Sequence, residues 1–344
     1  MTPEQITSEW LSSVLGADVR LTATRRIGDG LIGMNIRLFI ETPEGSDLPE
    51  ALVAKLPSDD PASRNTGVAL GNYEREITFY EHIAPTVDIR VPRCYHLEWD
   101  PQDGEFMLLL EDLAPGEQGD QLVGSTAERS RVAIVELARL HGPRWGDPTL
   151  GELDAMQRPS AEMVDVLQML WGMFAEGFLA GYSKYLDSEG VDLVRRFGPR
   201  IPDWMAGRDM PATVTHGDYR LDNLMFASEA GGYPVAVVDW QTLGHGPAAT
   251  DVSYFLGAGP LPDLRRQIER GLVDEYLEAL GQYGVTVDSG EFWRHYRREA
   301  YGGVITSVIA TQAVGSTERS EAMFAAMASR HVRHILDLGS EDLI

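Results

Sequence analysis

Three oxygen-bearing side chains in one short stretch carry the chemistry of this chain. Within residues 213–226, TVTHGDYRLDNLMF, Asp218 is followed five positions later by Asn223, and the apolar run VAVVDW then ends on Asp239 and Trp240. A carboxylate in a tight loop can accept a hydroxyl proton. An amide and a second carboxylate at a strand end offer hard oxygen ligands of the kind magnesium takes. One base and two metal ligands are most of what phosphoryl transfer asks of a protein, since that reaction is catalysed by positioning and charge neutralisation.

The remaining requirement is a cation for the phosphates, and composition singles one out. Of the 29 basic residues only Lys55 and Lys184 are lysine; the rest are arginine. A position that keeps Lys in such a chain points to a need for a compact ammonium rather than a planar fork. Gly28, Gly30 and Gly33, in IGDGLIGMN, sit between two predicted strands, where backbone amides could lie over phosphates. A plain hairpin turn fits the same glycines.

These residues must be held by elements whose periods are readable. Apolar positions at helical spacing predict a helix over residues 3–16, with Thr2 as N-cap before Pro3. Residues 19–56 alternate as three antiparallel strands, and Tyr73, Ile77, Tyr80 and Ala84 mark one face of a helix ended by Pro85. Two more strands fit residues 93–99 and 105–111. Beyond about Leu113 the pattern turns helical: 127–141, 163–186, 261–283, 292–311 and 318–338, interrupted only by the β-like 213–240 block. A small β-rich part followed by a larger helical one is an α+β arrangement.

Composition narrows the class. At 344 residues with 43% hydrophobic content the chain can build a large two-lobed domain or two domains. Its net charge of -24 would repel nucleic acid and anionic membranes. Asp165, Gln168 and Glu176 interrupt the longest apolar stretch, at 163–182, so no membrane span is expected. The start lacks the pattern of a secretory signal, and a single Cys94 cannot form an intrachain disulfide, so a cytoplasmic setting is expected.

His216-Gly217-Asp218 with Asn223, then Asp239-Trp240, resembles the motif of the aminoglycoside phosphotransferase and choline kinase superfamily of small-molecule kinases. VAKL around Lys55, EREITFYEHIAP, LLLEDLAP, LARLHG around His141 and DVSYF from Asp251 agree, over about residues 20–260. These pieces are most similar to the ecdysteroid kinase-like branch. The resemblance implies a two-lobed protein-kinase-like fold, with residues 1–112 as the nucleotide-binding lobe and 113–344 as the helical lobe holding catalytic loop and acceptor site. It implies ATP and Mg2+ as cofactors, Asp218 as catalytic base, Asn223 and Asp239 as magnesium ligands, and Lys55 on the phosphates, paired with a helix carboxylate. Glu76 is the expected partner because it shares a face with Tyr73, Tyr80 and Ile83, whereas Glu74 faces elsewhere. Glu111 and Leu113 are the hinge positions expected to meet adenine through backbone groups; the side chains of Glu111 and Asp112 otherwise read as solvated acids.

Around that set, His216 is expected to support the loop, Asp251 to brace it from a helix start, and His141 to pack at a helix end. Arg220 and Asp222 read as surface or local salt-bridge residues. His331 and His334 lie three apart without a third ligand and read as surface histidines. Gly217 and Trp240-Gln241 depart from the protein-kinase pattern, and no A-P-E follows, which argues against a peptide substrate. The activity so implied is ATP- and Mg-dependent transfer to the hydroxyl of a small molecule. Aminoglycoside phosphorylation and a catalytically silent nucleotide-binding protein are the alternatives. The stripe Leu167, Leu170, Trp171, Phe174, Phe178, Tyr182 and Tyr185 reads as core; lining the cleft, it would favour an apolar alcohol.

Overall fold

The computed structural model describes residues 2–28, 32–158, 161–313 and 317–344, so Gly30 lies outside the described residues. The chain opens with α1 (Ser8–Leu15) and the hairpin β1 (Arg20–Ile27) and β2 (Gly33–Glu41). Next come β3 (Ala51–Pro57), α2 (Pro61–Ala69), α3 (Asn72–Thr78), β4 (Cys94–Asp100) and β5 (Glu105–Glu111). The five strands form one antiparallel sheet in the order β1-β2-β3-β5-β4.

The two-residue period of a strand decides which side chains reach the cleft. On β2 and β3 the even positions Met34, Ile36, Leu38, Leu52, Ala54 and Leu56 pack with Leu11 of α1. The odd positions Asn35, Arg37, Val53 and Lys55 therefore turn to the opposite face, and all four line the cleft. α3 buries Tyr73, Glu76 and Ile77 and runs on through a π-helical turn, Phe79–Ile83, that buries Phe79, Tyr80 and Ile83.

The rest is mostly helical: after β6 (Glu117–Gln118) come α4 (Ala127–His141), α5 (Ala161–Tyr182), α6 (Ser188–Phe197) and α7 (Ile201–Ala206). Strands β7 (Ala212–Thr215), β8 (Leu224–Ser228), β9 (Gly231–Val237) and β10 (Gly244–Pro247) follow. The chain closes with α8 (Ala249–Ala258), α9 (Pro262–Gly281), α10 (Ser289–Glu299), α11 (Tyr301–Ala313) and α12 (Glu318–Leu338). β8 and β9 form a hairpin, β10 pairs with β7, and α8 begins two residues before Asp251, so the segment after Asp239 is short. The α+β class is as expected, with the antiparallel sheet N-terminal and the helices C-terminal.

Two boundaries differ from the periodic reading. The first helix begins at Ser8, where the Thr7 hydroxyl accepts from the Trp10 N–H; Thr2 and Pro3 open only a 3-10 turn. The expected 292–311 helix is two, broken at Ala300 just before Gly302 and Gly303. Gly303 is required by packing, since a Cβ there would stand 2.1 Å from the His331 ring. His331 and His334 are fully buried rather than surface residues. Burial, with the neighbouring His334 and Arg330 charges adding to it, pushes the His331 ring down to about 3. Unfolded, the ring takes up protons from about pH 6.5 downward. The unfolded chain thus binds the extra proton throughout that interval, and stability falls as pH is lowered through it. Replacing His331 by Asn is expected to flatten this slope, read as a smaller difference between urea midpoints at pH 7 and pH 5.

Candidate active site

A cleft of about 860 Å³ separates the sheet from the helices. On its sheet wall the Lys55 ammonium donates to Glu76 Oε1 at 2.7 Å and to Asp239 Oδ1 at 3.0 Å. Burial alone would favour a neutral amine, but Asp239 and Glu76 outweigh it and hold the ammonium above the usual lysine range. Burial wins at Glu76, which is 1% exposed, and raises it; at Asp239 the Lys55 charge wins over burial and lowers it. Gly28 and Gly33 line the same cleft, and a Cβ on Gly33 would lie 3.5 Å from Lys55 Cε. The Tyr73 hydroxyl donates to the Ile32 carbonyl at 2.6 Å, tying the end of the glycine loop to α3.

Asp239 itself has φ 68, the one positive φ at a non-glycine position among the described residues. Such strain persists only where the surroundings impose it, and here they do. Trp240 is buried, stacked on Phe79 with ring centroids 3.6 Å apart, and packs at 4.6 Å from His216. Asn72 of α3 donates to the Gln241 carbonyl at 2.9 Å. The segment bearing Asp239 and the helix bearing Glu76 are thereby fastened to each other.

On the opposite wall, the loop after β7 is held from beneath by Asp251, at the start of α8. Its carboxylate accepts from the His216 N–H (2.7 Å), the Gly217 N–H (2.9 Å) and His141 Nε2 (3.3 Å). Burial would raise this carboxyl; the His141 ring and the Gly217 amide outweigh it and hold it below the usual carboxylate range. His216 accepts from the Asp218 N–H at Nδ1 and faces the Val238 carbonyl with Nε2, so a neutral ring protonated on Nε2 satisfies both. Gly217 has φ +79 and lies where a Cβ would come within 2.4 Å of the Thr242 carbonyl. Larger residues are excluded there by backbone, which explains the departure from the protein-kinase arginine.

The Asp218 carboxylate carries three donors. Oδ2 accepts from Arg220 Nε (2.9 Å) and Asn223 Nδ2 (3.0 Å), and Oδ1 accepts from the Tyr254 hydroxyl (2.8 Å). Because Asn223 Nδ2 also donates to the Asp218 carbonyl at 2.9 Å, its Oδ1 is left as an oxygen ligand. The structure thus brings Lys55, Glu76, Asp218, Asn223 and Asp239 around one cleft. Tyr254 was not singled out from the sequence; its DVSYF run signals only a buried helix. Arg220 and Asp222 are partly or wholly buried rather than surface residues, and Arg220 touches Asp218 directly.

At the hinge, Glu111 and Leu113 line the cleft. The Glu111 N–H donates to the Arg93 carbonyl and the Leu113 carbonyl accepts from Gly116 N–H, both at 2.9 Å. Neither hinge acid is simply solvated: Glu111 accepts from Arg90 and from the Arg93 N–H, and Asp112 pairs with Arg37 at 2.7 Å. Of the expected apolar stripe, Trp171 and Phe178 are core, packed among α6, α7, α11 and α12; Leu167, Phe174 and Tyr182 lie half-buried against them, and Tyr185, past the end of α5, is 49% exposed. Among the described residues one helix, Glu162–Tyr185, is long and apolar enough to cross a membrane by length and composition.

A buried lysine on an antiparallel sheet, paired with a helix glutamate and facing a His-Gly-Asp loop across a cleft, defines a phosphotransferase of the protein-kinase-like fold. The chain belongs to the phosphotransferase enzyme family, APH, whose model matches residues 40–293. It transfers phosphate to the hydroxyl of a small molecule. Solved structures of similar fold include the gentamicin complex of APH(2″)-IIa (14% identity, 100% of this chain and 99% of that one, TM-score 0.54). A Plasmodium vivax ethanolamine kinase (12%, 89% and 82%, 0.53) and a macrolide 2'-phosphotransferase from Brachybacterium faecium (17%, 92% and 95%, 0.52) are others. A search of curated protein sequences found no match.

Proposed function

We propose that the chain is an ATP- and magnesium-dependent O-phosphotransferase whose acceptor is a small alcohol with an apolar body. In this reading residues 1–112 hold the nucleotide, with Gly28, Gly33, Glu111 and Leu113 around it, and residues 113–344 hold the acceptor. Lys55 anchors the phosphates and Glu76 orients Lys55. Asp218 Oδ1 takes the acceptor proton, since Oδ2 already has two donors. Asn223 Oδ1 and the Asp239 carboxylate, which is 37% exposed, are the oxygen donors for magnesium. Two protein oxygens completed by substrate phosphates suit that ion, and among the described residues no cluster of three or more His, Cys, Asp or Glu could hold a metal alone. Bound there, magnesium supplies charge neutralisation at the phosphates.

The acceptor wall carries the proposal. Beside Asp218 the cleft is lined by Tyr254, Ala310, Met323, Phe324 and Met327, a mostly apolar surface joined by the hydroxyl residues Thr306, Thr317 and Ser320. The carboxylates among the described lining residues, Glu76, Glu111, Asp112, Asp218, Asp222 and Asp239, each already hold a lysine or arginine. A polycationic aminoglycoside would find no uncommitted acid and would meet Arg319. The motif likeness to the ecdysteroid kinase-like branch points the same way.

The test is coupled ADP release across sterols and other apolar alcohols, choline-like amino alcohols, hydroxy acids and aminoglycosides, with Asp218→Asn as blank. Turnover is expected with apolar alcohols. Turnover confined to aminoglycosides overturns the acceptor assignment. Absence of thermal stabilisation by magnesium-ATP overturns the nucleotide assignment. Stabilisation without ADP release from any acceptor favours a silent nucleotide-binding protein.

A further inference from the structure

We infer that Arg220 is a catalytic residue whose guanidinium neutralises the charge that builds on the phosphoryl group during transfer. This rests on the kinase reading above. Arg220 is extended (φ -127, ψ 164) at the head of the turn Leu221–Asn223, and its N–H donates to the Asp218 carbonyl at 2.9 Å, so the chain doubles back and lays the side chain along the base. Nε reaches Asp218 Oδ2 at 2.9 Å; Nη1 reaches Asp222 Oδ2 at 2.7 Å and Met323 Sδ at 3.1 Å. Asp222 is itself fixed by the Gln121 N–H at 2.9 Å.

Two anions therefore hold Nε and Nη1, from opposite flanks of the fork. Nη2, the third nitrogen, has no hydrogen-bond partner among the described residues, and the side chain is 18% exposed and lines the cleft together with Asp218, Asn223 and Asp239. An ordinary loop ion pair would not need an unpartnered donor group on a side chain that lines the same cleft as Asp218, Asn223 and Asp239. A planar fork can hold Asp218 and Asp222 and still present Nη2 to a third anion.

During transfer the bond from the γ-phosphorus to the bridging oxygen breaks, with its electron pair leaving on ADP. The acceptor oxygen forms the new P–O bond and its proton passes to Asp218 Oδ1. Negative charge spread over the equatorial phosphoryl oxygens is greatest between these events, where a preorganised cation stabilises most. Arg220 would then matter for the transition state and little for the bound nucleotide.

Titration calorimetry of magnesium-ADP with and without aluminium fluoride reads this directly, water standing in the acceptor position. Wild type is expected to bind ADP more tightly with aluminium fluoride. Arg220→Gln should lose about 10- to 100-fold of that gain, the range for a hydrogen bond to a charged group, with ADP affinity alone essentially unchanged. Arg220→Lys, which keeps the charge beside Asp218 and Asp222, should fold as wild type and lose a smaller part. Aluminium fluoride tightening equal to wild type in either folded variant, or none in wild type, overturns the inference. No binding of magnesium-ADP by wild type overturns the kinase reading instead.

Discussion

Replacing Asp218 by Asn is expected to cut phosphoryl transfer by roughly 10²- to 10⁴-fold, the usual contribution of a positioned general base. Nucleotide binding should survive. Of the groups that meet the phosphates in the proposed function, Lys55 and Asp239 lie on other segments, and Asn223, on the same loop, touches Asp218. The substituted amide keeps one oxygen and turns a second donor toward a cluster already made of donors: Arg220 Nε, Asn223 Nδ2 and the Tyr254 hydroxyl. One of those contacts is lost, a local cost of about 1–3 kcal/mol for an unsatisfied group, too little to unfold a domain of ordinary stability. The measurement pairs ADP release with the melting shift on adding magnesium-ATP. A variant that keeps the shift and loses turnover fits the base; one that keeps both removes Asp218 from that role.

How far such a site can be read in advance depends on the range of the forces that make it. Alternation along β2 and β3 is a local property, so the strands and the facing of Lys55 away from α1 are legible in the sequence. The Asp218–Asn223 spacing is equally local. What escapes is set by contacts between elements distant in the chain. Tyr254 reaches Asp218 because α8 crosses beneath the loop, and nothing in DVSYF distinguishes it from a core tyrosine. His331 looks like a surface residue until Gly257 and Gly303, from two other helices, are seen to make room for its ring. The break at Ala300 escapes for a related reason: the apolar period runs through it, and only the approach of α12 requires Gly303. Arg220 was read as a local ion pair, and so it is; that its partner is the Asp218 carboxylate inside a cleft follows only from the fold.

The same logic gives the largest expected loss of stability, at Asp251. Its carboxylate is fully buried and satisfies two backbone N–H groups and the buried His141 ring, which is fixed in turn by the Tyr276 hydroxyl at 2.8 Å. Asp251→Ala leaves the His216 and Gly217 amides and one ring nitrogen without partners in a dry interior. Removing one member of such a buried set costs about 3–5 kcal/mol, a large share of the roughly 5–15 kcal/mol that holds a typical domain together. Asp251→Asn is nearly isosteric yet is expected to fare little better, because its amide nitrogen must face a donor whichever way it is turned. The wild-type contribution also has a defined pH window. The folded carboxyl titrates below its unfolded counterpart, so its stabilisation is complete above about pH 4 and drains away as pH falls through the depressed folded value. Urea unfolding of wild type, Asp251→Ala and Asp251→Asn at pH 7 checks the magnitude. Either variant within about 1 kcal/mol of wild type would mean that water reaches the loop amides and that the brace is dispensable. Loss of stability together with turnover, but without loss of the Lys55–Glu76 wall's response to nucleotide, is the pattern a brace for the catalytic loop predicts.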